Sequence, residues 1–323
     1  MRQGKWLLGL SLLLAAGLAL GGCGGSSGGS DGGGGGGTQA VPITDANQAL
    51  ARDNALGAVT TMGDIGSFGV SLVEMLGNMN AGARAAARSA AVLVPGVCST
   101  GTVNVEINDV TPVDQLSTGD TAAVTFASCV MENGFGPETF NGLVTFSVTE
   151  VATAPTDFLS APFDVTFGFV VTNLTVSDGE STTTISGGFD LNLASEDDIA
   201  YTKGLSGTSF TLSEGGITAT LTNFSYVDTE NEASGDYTAD ASGRLASSEF
   251  SGGFIDFDTP TIFSGTGEGN PDDGVLVVTG AAGSELTLTV LDSTTVEVSL
   301  DADGNGTPDT GYPVQVLWDD LDI

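Results

Sequence analysis

The apolar positions of this chain change period once. Between Thr44 and about Val94, Leu50, Leu56, Val59, Met62, Ile65, Leu72, Met75, Leu76 and Met79 recur at three- and four-residue spacings, which predicts helix. Asp45, with Gln48 three residues on, offers an N-cap. Gly63, Gly66, Gly69 and Gly77 fall inside the pattern. Each is a poor helix former, by up to about 1 kcal/mol against Ala, so two or three helices are expected rather than one. The Ala-rich stretch 81–91 sets Arg84 and Arg88 four residues apart, on one helical face. The apolar stripe is expected to pack on a neighbouring sheet. A second reading lays this segment, with its cations, against a membrane or a partner.

From Thr102 the period becomes two. Val103, Val105 and Ile107 alternate with Asn104 and Glu106; Val144, Phe146 and Val148 with Thr145 and Ser147; Val165, Phe167 and Phe169 with Thr166 and Gly168. The same alternation recurs around Leu221, Leu288, Val298 and Val316, and clusters of Gly, Asp, Asn and Ser punctuate the runs. No helical segment long enough for a parallel crossover intervenes. The prediction is an antiparallel meander of about ten to fourteen strands, one face apolar and the other Thr, Ser and Asp. So many strands do not stay an open twisted sheet comfortably, and they are expected to curl into a barrel-like or two-layer sheet. The fold class is therefore mainly β, with the N-terminal helical segment covering an open end or face. Phe163, Phe167, Phe169, Phe250, Phe254 and Phe257 are expected to fill the interior. In a wide barrel they would instead line an apolar cavity. A membrane-spanning barrel fits poorly, because one Trp and four Tyr beyond residue 22 are too few for two aromatic girdles.

The first residues read differently. Met1-Arg2-Gln3-Gly4-Lys5 is cationic, Trp6–Leu20 is an apolar run of 15 residues, and Leu20-Gly21-Gly22-Cys23 places small residues before a cysteine. The run has the length of a secretory h-region and is short for a bilayer span. This start resembles the lipobox of bacterial lipoproteins. The resemblance implies cleavage before Cys23, acylation of that cysteine and, because Gly24 stands where an Asp commonly signals inner-membrane retention, an outer-membrane location. Ten of the fourteen residues 24–37 are Gly, a composition that makes a flexible tether. The chain thus divides into a signal peptide (1–22), a lipid-anchored tether (23–43), a helical segment (44–97) and a β domain (98–323).

Charge narrows the partners. The 323 residues hold 41 Asp and Glu against 7 Lys and Arg, a net charge of −34. Loss of Arg2 and Lys5 with the signal peptide leaves Arg52, Arg84, Arg88, Lys203 and Arg244 as the cations. Phosphate backbones are repelled, so no nucleic-acid partner is expected, and the membrane is engaged through the lipid rather than the body. Histidine is absent from the sequence, which excludes His triads and His metal ligands. Lys203 has no apolar run around it and reads as a surface charge.

In an exported chain Cys98 and Cys129 are expected to pair. The bridge would close a loop of about 31 residues, contributing roughly 3–4 kcal/mol by loop entropy. Cys98, Gly119-Asp120, Val124-Thr125-Phe126, Cys129 and Asn141-Gly142 together resemble a pattern in uncharacterised proteobacterial lipoproteins, which implies compartment and fold but no activity.

The best chemical motif is Asp301-Ala302-Asp303-Gly304-Asn305-Gly306-Thr307-Pro308-Asp309. Oxygen ligands at positions 1, 3, 5 and 9 with Gly at 6 follow the first part of an EF-hand-type Ca²⁺ loop, with the Thr307 carbonyl at position 7. Tyr312 replaces the bidentate Glu at position 12, and the flanks read as strands. Asp301, Asp303, Asn305, Thr307 and Asp309 are thus candidate ligands of a modest-affinity Ca²⁺ site. The alternative is a long Asp/Gly hairpin turn. No catalytic residues are assigned. The leading function is a non-catalytic binding or structural module of the envelope, stabilised by Ca²⁺. A carrier of a lipid or hydrophobic ligand comes second, and a hydrolase working through carboxylates or calcium third.

Overall fold

A computed structural model describes residues 39–79, 81–109, 116–133, 136–155, 159–267 and 269–321. The signal peptide, Cys23 and the Gly-rich run lie outside the described residues. The body is one antiparallel sheet of 14 strands in strict sequence order, with helices at its N-terminal side. Helix α1 spans Gln48–Gly77 and α2 spans Ala81–Ala87. The strands are β1 (Val92–Leu93), β2 (Thr100–Asn108), β3 (Thr121–Asn133), β4 (Gly136–Thr153), β5 (Phe163–Ser177), β6 (Thr182–Ser195) and β7 (Ala200–Glu214). They continue as β8 (Ile217–Asn231), β9 (Asp236–Ser247), β10 (Phe254–Thr266), β11 (Asp273–Thr279), β12 (Glu285–Asp292), β13 (Thr295–Asp301) and β14 (Val314–Leu317). The first and last strands are not joined, so the sheet curls without closing into a barrel.

The curl is organised around α1. Its buried positions include Ala51, Ala55, Leu56, Met62, Ile65, Phe68, Leu72 and Val73, and from Leu50 to Gly77 no residue is fully exposed. A helix covered on all sides cannot be lying on a flat sheet. It is the filling of a sheet that wraps around it. The contacts agree: Gly69 faces Phe169 of β5 and Leu191 of β6, Gly66 faces Lys203 of β7, and Gly63 faces Tyr226 of β8. Helix α1 therefore occupies the interior rather than covering an open end or face, while residues 82–91 are mostly exposed.

The segment holds two helices, as expected, and the first ends at Gly77. The three earlier glycines do not interrupt α1, which runs unbroken for 30 residues. Gly63, Gly66 and Gly69 form a strip where the backbone comes close to inward side chains. A Cβ on Gly69 would lie 2.7 Å from Leu191 Cδ2, and one on Gly63 would lie 3.1 Å from the Tyr226 hydroxyl oxygen. Tight approach to the sheet outweighs intrinsic propensity. The N-cap is Asn47, not Asp45; its side-chain oxygen accepts the Thr44 N–H at 2.7 Å.

The tether also ends earlier than position 43. Gln39–Ile43 lies alongside β10, with the Val41 N–H donating to the Phe254 carbonyl at 2.9 Å. Ile43 is fully buried, and its N–H donates to Ser284 Oγ at 2.8 Å. Thus a hydrogen-bonded strap precedes α1 directly.

Burial alternates along the strands as the sequence period requires. Val103, Val105, Val124, Val144, Val165, Phe167, Leu191, Leu286, Leu288, Val296 and Val298 all turn inward. Phe146, Phe169, Phe189 and Phe210 form a cross-strand row on β4–β7, with Phe169 and Phe189 stacked at 4.8 Å and 9°. Such contacts add about 0.5–1.5 kcal/mol each beyond area burial. Phe163, Phe167, Phe169, Phe250 and Phe257 are buried as expected, whereas Phe254 is only partly covered and carries the Arg244 guanidinium 3.7 Å above its ring.

The strands are long, 18 residues for β4 and 15 for β5, β7 and β8, because each bends rather than stops. A seam of register shifts crosses β2–β7 and resumes between β8 and β9. Ser128, Asn173 and Asn223 sit there in the left-handed region, where Asn is enriched among ordinary residues. Between them Gly142 (φ 133°) and Gly187 (φ 140°) allow backbones to touch: a Cβ on either would fall 2.7 Å from a Cα of the next strand. Asn141-Gly142, expected to open a strand, instead bends β4 internally. Acidic and amide side chains close the hairpins. Asp178 accepts the N–H groups of Glu180 and Ser181, and Asp197 accepts those of Ile199 and Ala200. A good part of the acidic excess is therefore turn chemistry.

Because Gly69 has no room and Gly57 has nothing within 4 Å of a built Cβ, two substitutions in the same helix should act oppositely. Gly69→Leu is expected to destabilise by about 1–3 kcal/mol through overpacking, and Gly57→Ala to stabilise by up to about 1 kcal/mol. Urea unfolding of both variants checks this.

Candidate functional site

The loop from β13 to β14 brings Asp301, Asp303 and Asp309 together. One carboxylate oxygen from each lies within 4.8 Å of the others. The local sequence dictates this arrangement. Asp301 ends β13, and glycines at 304 and 306 adopt φ of 70° and 81°, turning the chain back over its carboxylate. Asp301 Oδ1 accepts the N–H groups of Gly304 and Asn305 at 2.9 and 3.1 Å, and Oδ2 accepts that of Gly306 at 2.6 Å. Asp309 reaches back to accept the Ala302 N–H at 3.0 Å. Partial desolvation works against ionisation of Asp301, but the Gly306 and Asn305 N–H donors outweigh it and hold its carboxyl below the ordinary range. Asn305 and Thr307 are engaged with one another: the Thr307 N–H and hydroxyl both donate to Asn305 Oδ1. The three carboxylates are hard oxygen donors on one loop and could hold a metal ion.

Cys98 and Cys129 form a disulfide, their Cα atoms 5.2 Å apart. It ties the segment entering β2 to β3, next to the register shift at Ser128.

A second polar group was not legible in the sequence. Lys203, read there as a surface charge, points inward from β7. Its Nζ lies 2.8 Å from Asp228 Oδ2, its directly paired neighbour on β8, and donates to Ser67 Oγ of α1 at 3.2 Å. Tyr226 of β8 lies beside Gly63 of α1. Asp64 of α1 is 7% exposed, and its Oδ2 has no hydrogen-bond partner among the described residues. Burial pushes the Asp64 carboxyl up to about 7, with Lys203 pulling the other way. Burial also raises Asp228, against the opposing pull of Lys203 and Tyr226. Tyr226 is raised by burial first and then by the charges of Asp228 and Asp64. Only a helix inserted into the sheet brings residues 64, 67, 203, 226 and 228 together, and no local motif signals that. Chemically, the arrangement pairs two strands by charge and ties Lys203 to the helix by a hydrogen bond to Ser67. The group is packed between α1 and two strands.

No family model, curated protein or solved structure gives a significant match to this chain.

Titration of Asp64 has a defined sign. Its carboxyl titrates near 3.8 when unfolded and at about 7 when folded, so over that window the folded state holds the extra proton. Stability from this group is complete below the unfolded value and is lost as pH rises to about 7. Asp64→Asn removes the titration. Its stability relative to the unaltered protein is expected to improve by about 2 kcal/mol between roughly pH 5 and pH 8. Parallel urea-derived stability profiles would contradict this.

Proposed function

We propose that this protein is a lipid-anchored component of the bacterial envelope, held at the outer membrane through Cys23, whose acidic β body acts as a non-catalytic binding or structural module. The observation that carries the choice of module is the filled interior. Helix α1 and the Phe146–Phe210 row occupy the space that a wide barrel would leave for cargo. The lipobox-like start supports the anchor. The disulfide between Cys98 and Cys129 suits an oxidising compartment, where such bonds persist. The strap Gln39–Ile43 gives a membrane tether a fixed point of attachment on β10 and on the β11–β12 turn, where Ala281 donates to Val41.

In this reading Asp301, Asp303 and Asp309 bind Ca²⁺ with Asn305 and the Thr307 carbonyl as further oxygens. The ion would lock β13 to β14, the last pair of the sheet. A dissociation constant of roughly 10⁻⁴–10⁻³ M fits a loop that lacks the bidentate Glu. A hydrolase would need carboxylates of raised pKa converging in a cleft. Asp64 and Asp228 meet the first condition, but Asp64 lies on α1 and Asp228 on β8, inside the packing between helix and sheet.

Two measurements test the proposal. The intact mass of the protein from native membranes should correspond to a chain beginning at acylated Cys23; a chain retaining residues 1–22, or one free of acyl groups, overturns the anchor. About 10 mM Ca²⁺ should stabilise the body by about 1.4–2.7 kcal/mol over a chelator control. That gain should vanish in Asp301→Asn/Asp303→Asn, and an equal melting temperature with and without Ca²⁺ reduces the loop to a turn.

A further inference from the structure

One cleft combines apolar walls with two arginines. It opens between the helices and the first strands, with a cavity volume of about 70 Å³. Val73 and Leu76 of α1, Ile107 of β2, Phe146 and Val148 of β4 and Phe167 of β5 supply its apolar surface. Arg84 of α2 and Arg88, just beyond its end, reach the same cleft, together with Asp109 and Asp120. These two arginines are two of only seven cations in a chain of net charge −34.

The four charges are not equivalent. Arg88 is ion-paired with Asp109. Asp120 accepts the Ser117 N–H at 2.8 Å, closing the turn before β3. Arg84 has no carboxylate partner among the described residues. Its Nη1 makes only a 3.5 Å contact to the Gly77 carbonyl, and its Nε is buried without a hydrogen-bond partner. A buried, unsatisfied donor costs about 1–3 kcal/mol, more when charged. Arg84 as a whole is half-buried; a guanidinium with one such nitrogen and no carboxylate partner, beside an apolar cleft, matches an acceptor that brings its own hydrocarbon.

We infer that this cleft binds a single-chain aliphatic carboxylate, a fatty acid, with its carboxylate on Arg84 and its hydrocarbon chain against Leu76, Ile107, Phe146 and Phe167. One guanidinium matches one negative charge. A phosphate headgroup would set more charge against Asp109 and Asp120, and a two-chain lipid exceeds the volume. A water occupies roughly 10–15 Å³ by this measure, so the cavity takes about five water-sized groups, enough for part of one chain with the rest along the open side. An acyl chain already bonded to a protein has no free carboxylate, so the protein's own anchor would not satisfy Arg84.

The test uses the full chain in nanodiscs and a dodecanoic acid probe bearing a photoactivatable diazirine in its tail. Crosslinks are expected in peptides containing Leu76, Ile107, Phe146 or Phe167, and unlabelled dodecanoate should compete them away. Arg84→Gln should lower labelling at least about fivefold, the order expected from losing one charge-assisted hydrogen bond. Arg84→Lys, which keeps the charge, should retain most of it, which separates loss of the headgroup contact from misfolding. A dodecyl trimethylammonium probe with the same diazirine should not label the cleft. Crosslinks confined to other peptides, labelling that competitor does not reduce, equal labelling by the cationic probe, or labelling unchanged in Arg84→Gln would each overturn the inference.

Discussion

Burial of α1 on every side is the constraint from which the rest of this structure follows. A 30-residue helix is about 45 Å long. Covering it all round takes a sheet with strands of comparable length and enough of them to wrap. Strands of 15 residues reach about 50 Å. Fourteen of them laid flat would span on the order of 60 Å, which is ample for a curl that need not close. The bends at Ser128, Gly142, Asn173, Gly187 and Asn223 convert that ribbon into a wrap. Without the helix those same bends would expose a continuous apolar inner face.

The helix sets the chemistry of the interior as well as its shape. Its glycine strip lets the backbone approach β5–β8, and this closeness draws Lys203, Asp228 and Tyr226 into contact with α1. Two carboxylates and one ammonium buried together carry a desolvation penalty, visible in the raised Asp64 and Asp228. An ion pair of this kind is weak as a source of stability. Its consequence is positional: a slip of α1 along the sheet would strand Lys203 and Asp228 without Ser67, and set Asp64 against hydrocarbon.

Much of the fold was legible because period-two alternation is a local signal. Val103–Ile107, Val144–Val148, Leu286–Val290 and Val296–Leu300 each declare strand and face in five residues, and the absence of long helical runs after Thr102 fixes the antiparallel order. What could not be read was tertiary. The glycines of α1 look like breaks until Leu191 and Tyr226 stand opposite them. Asn141-Gly142 looks like the start of a strand until it is seen inside β4, paired with β3 and β5. Val41 and Ile43 look like tether until Phe254 and Ser284 hold them. The acidic loop was legible as a cluster, since Asp301, Asp303 and Asp309 lie within nine residues. Lys203 was not, because its partners are 25 and 136 positions away.

Surface and interior thus divide the labour. Outside, acids cap hairpins at Asp178, Asp197 and Asp292 and give a body that repels phosphate backbones. Inside, stability rests on one helix and the apolar face folded around it. Residue-resolved hydrogen exchange in the native state tests this most directly. If α1 is the filling of the sheet, amides from Leu56 to Val73 should be among the slowest to exchange, opening only with global unfolding, together with those of β5–β8. Exchange of α1 at low free energy while the strands stay protected would place the helix on the outside and contradict the wrapped core.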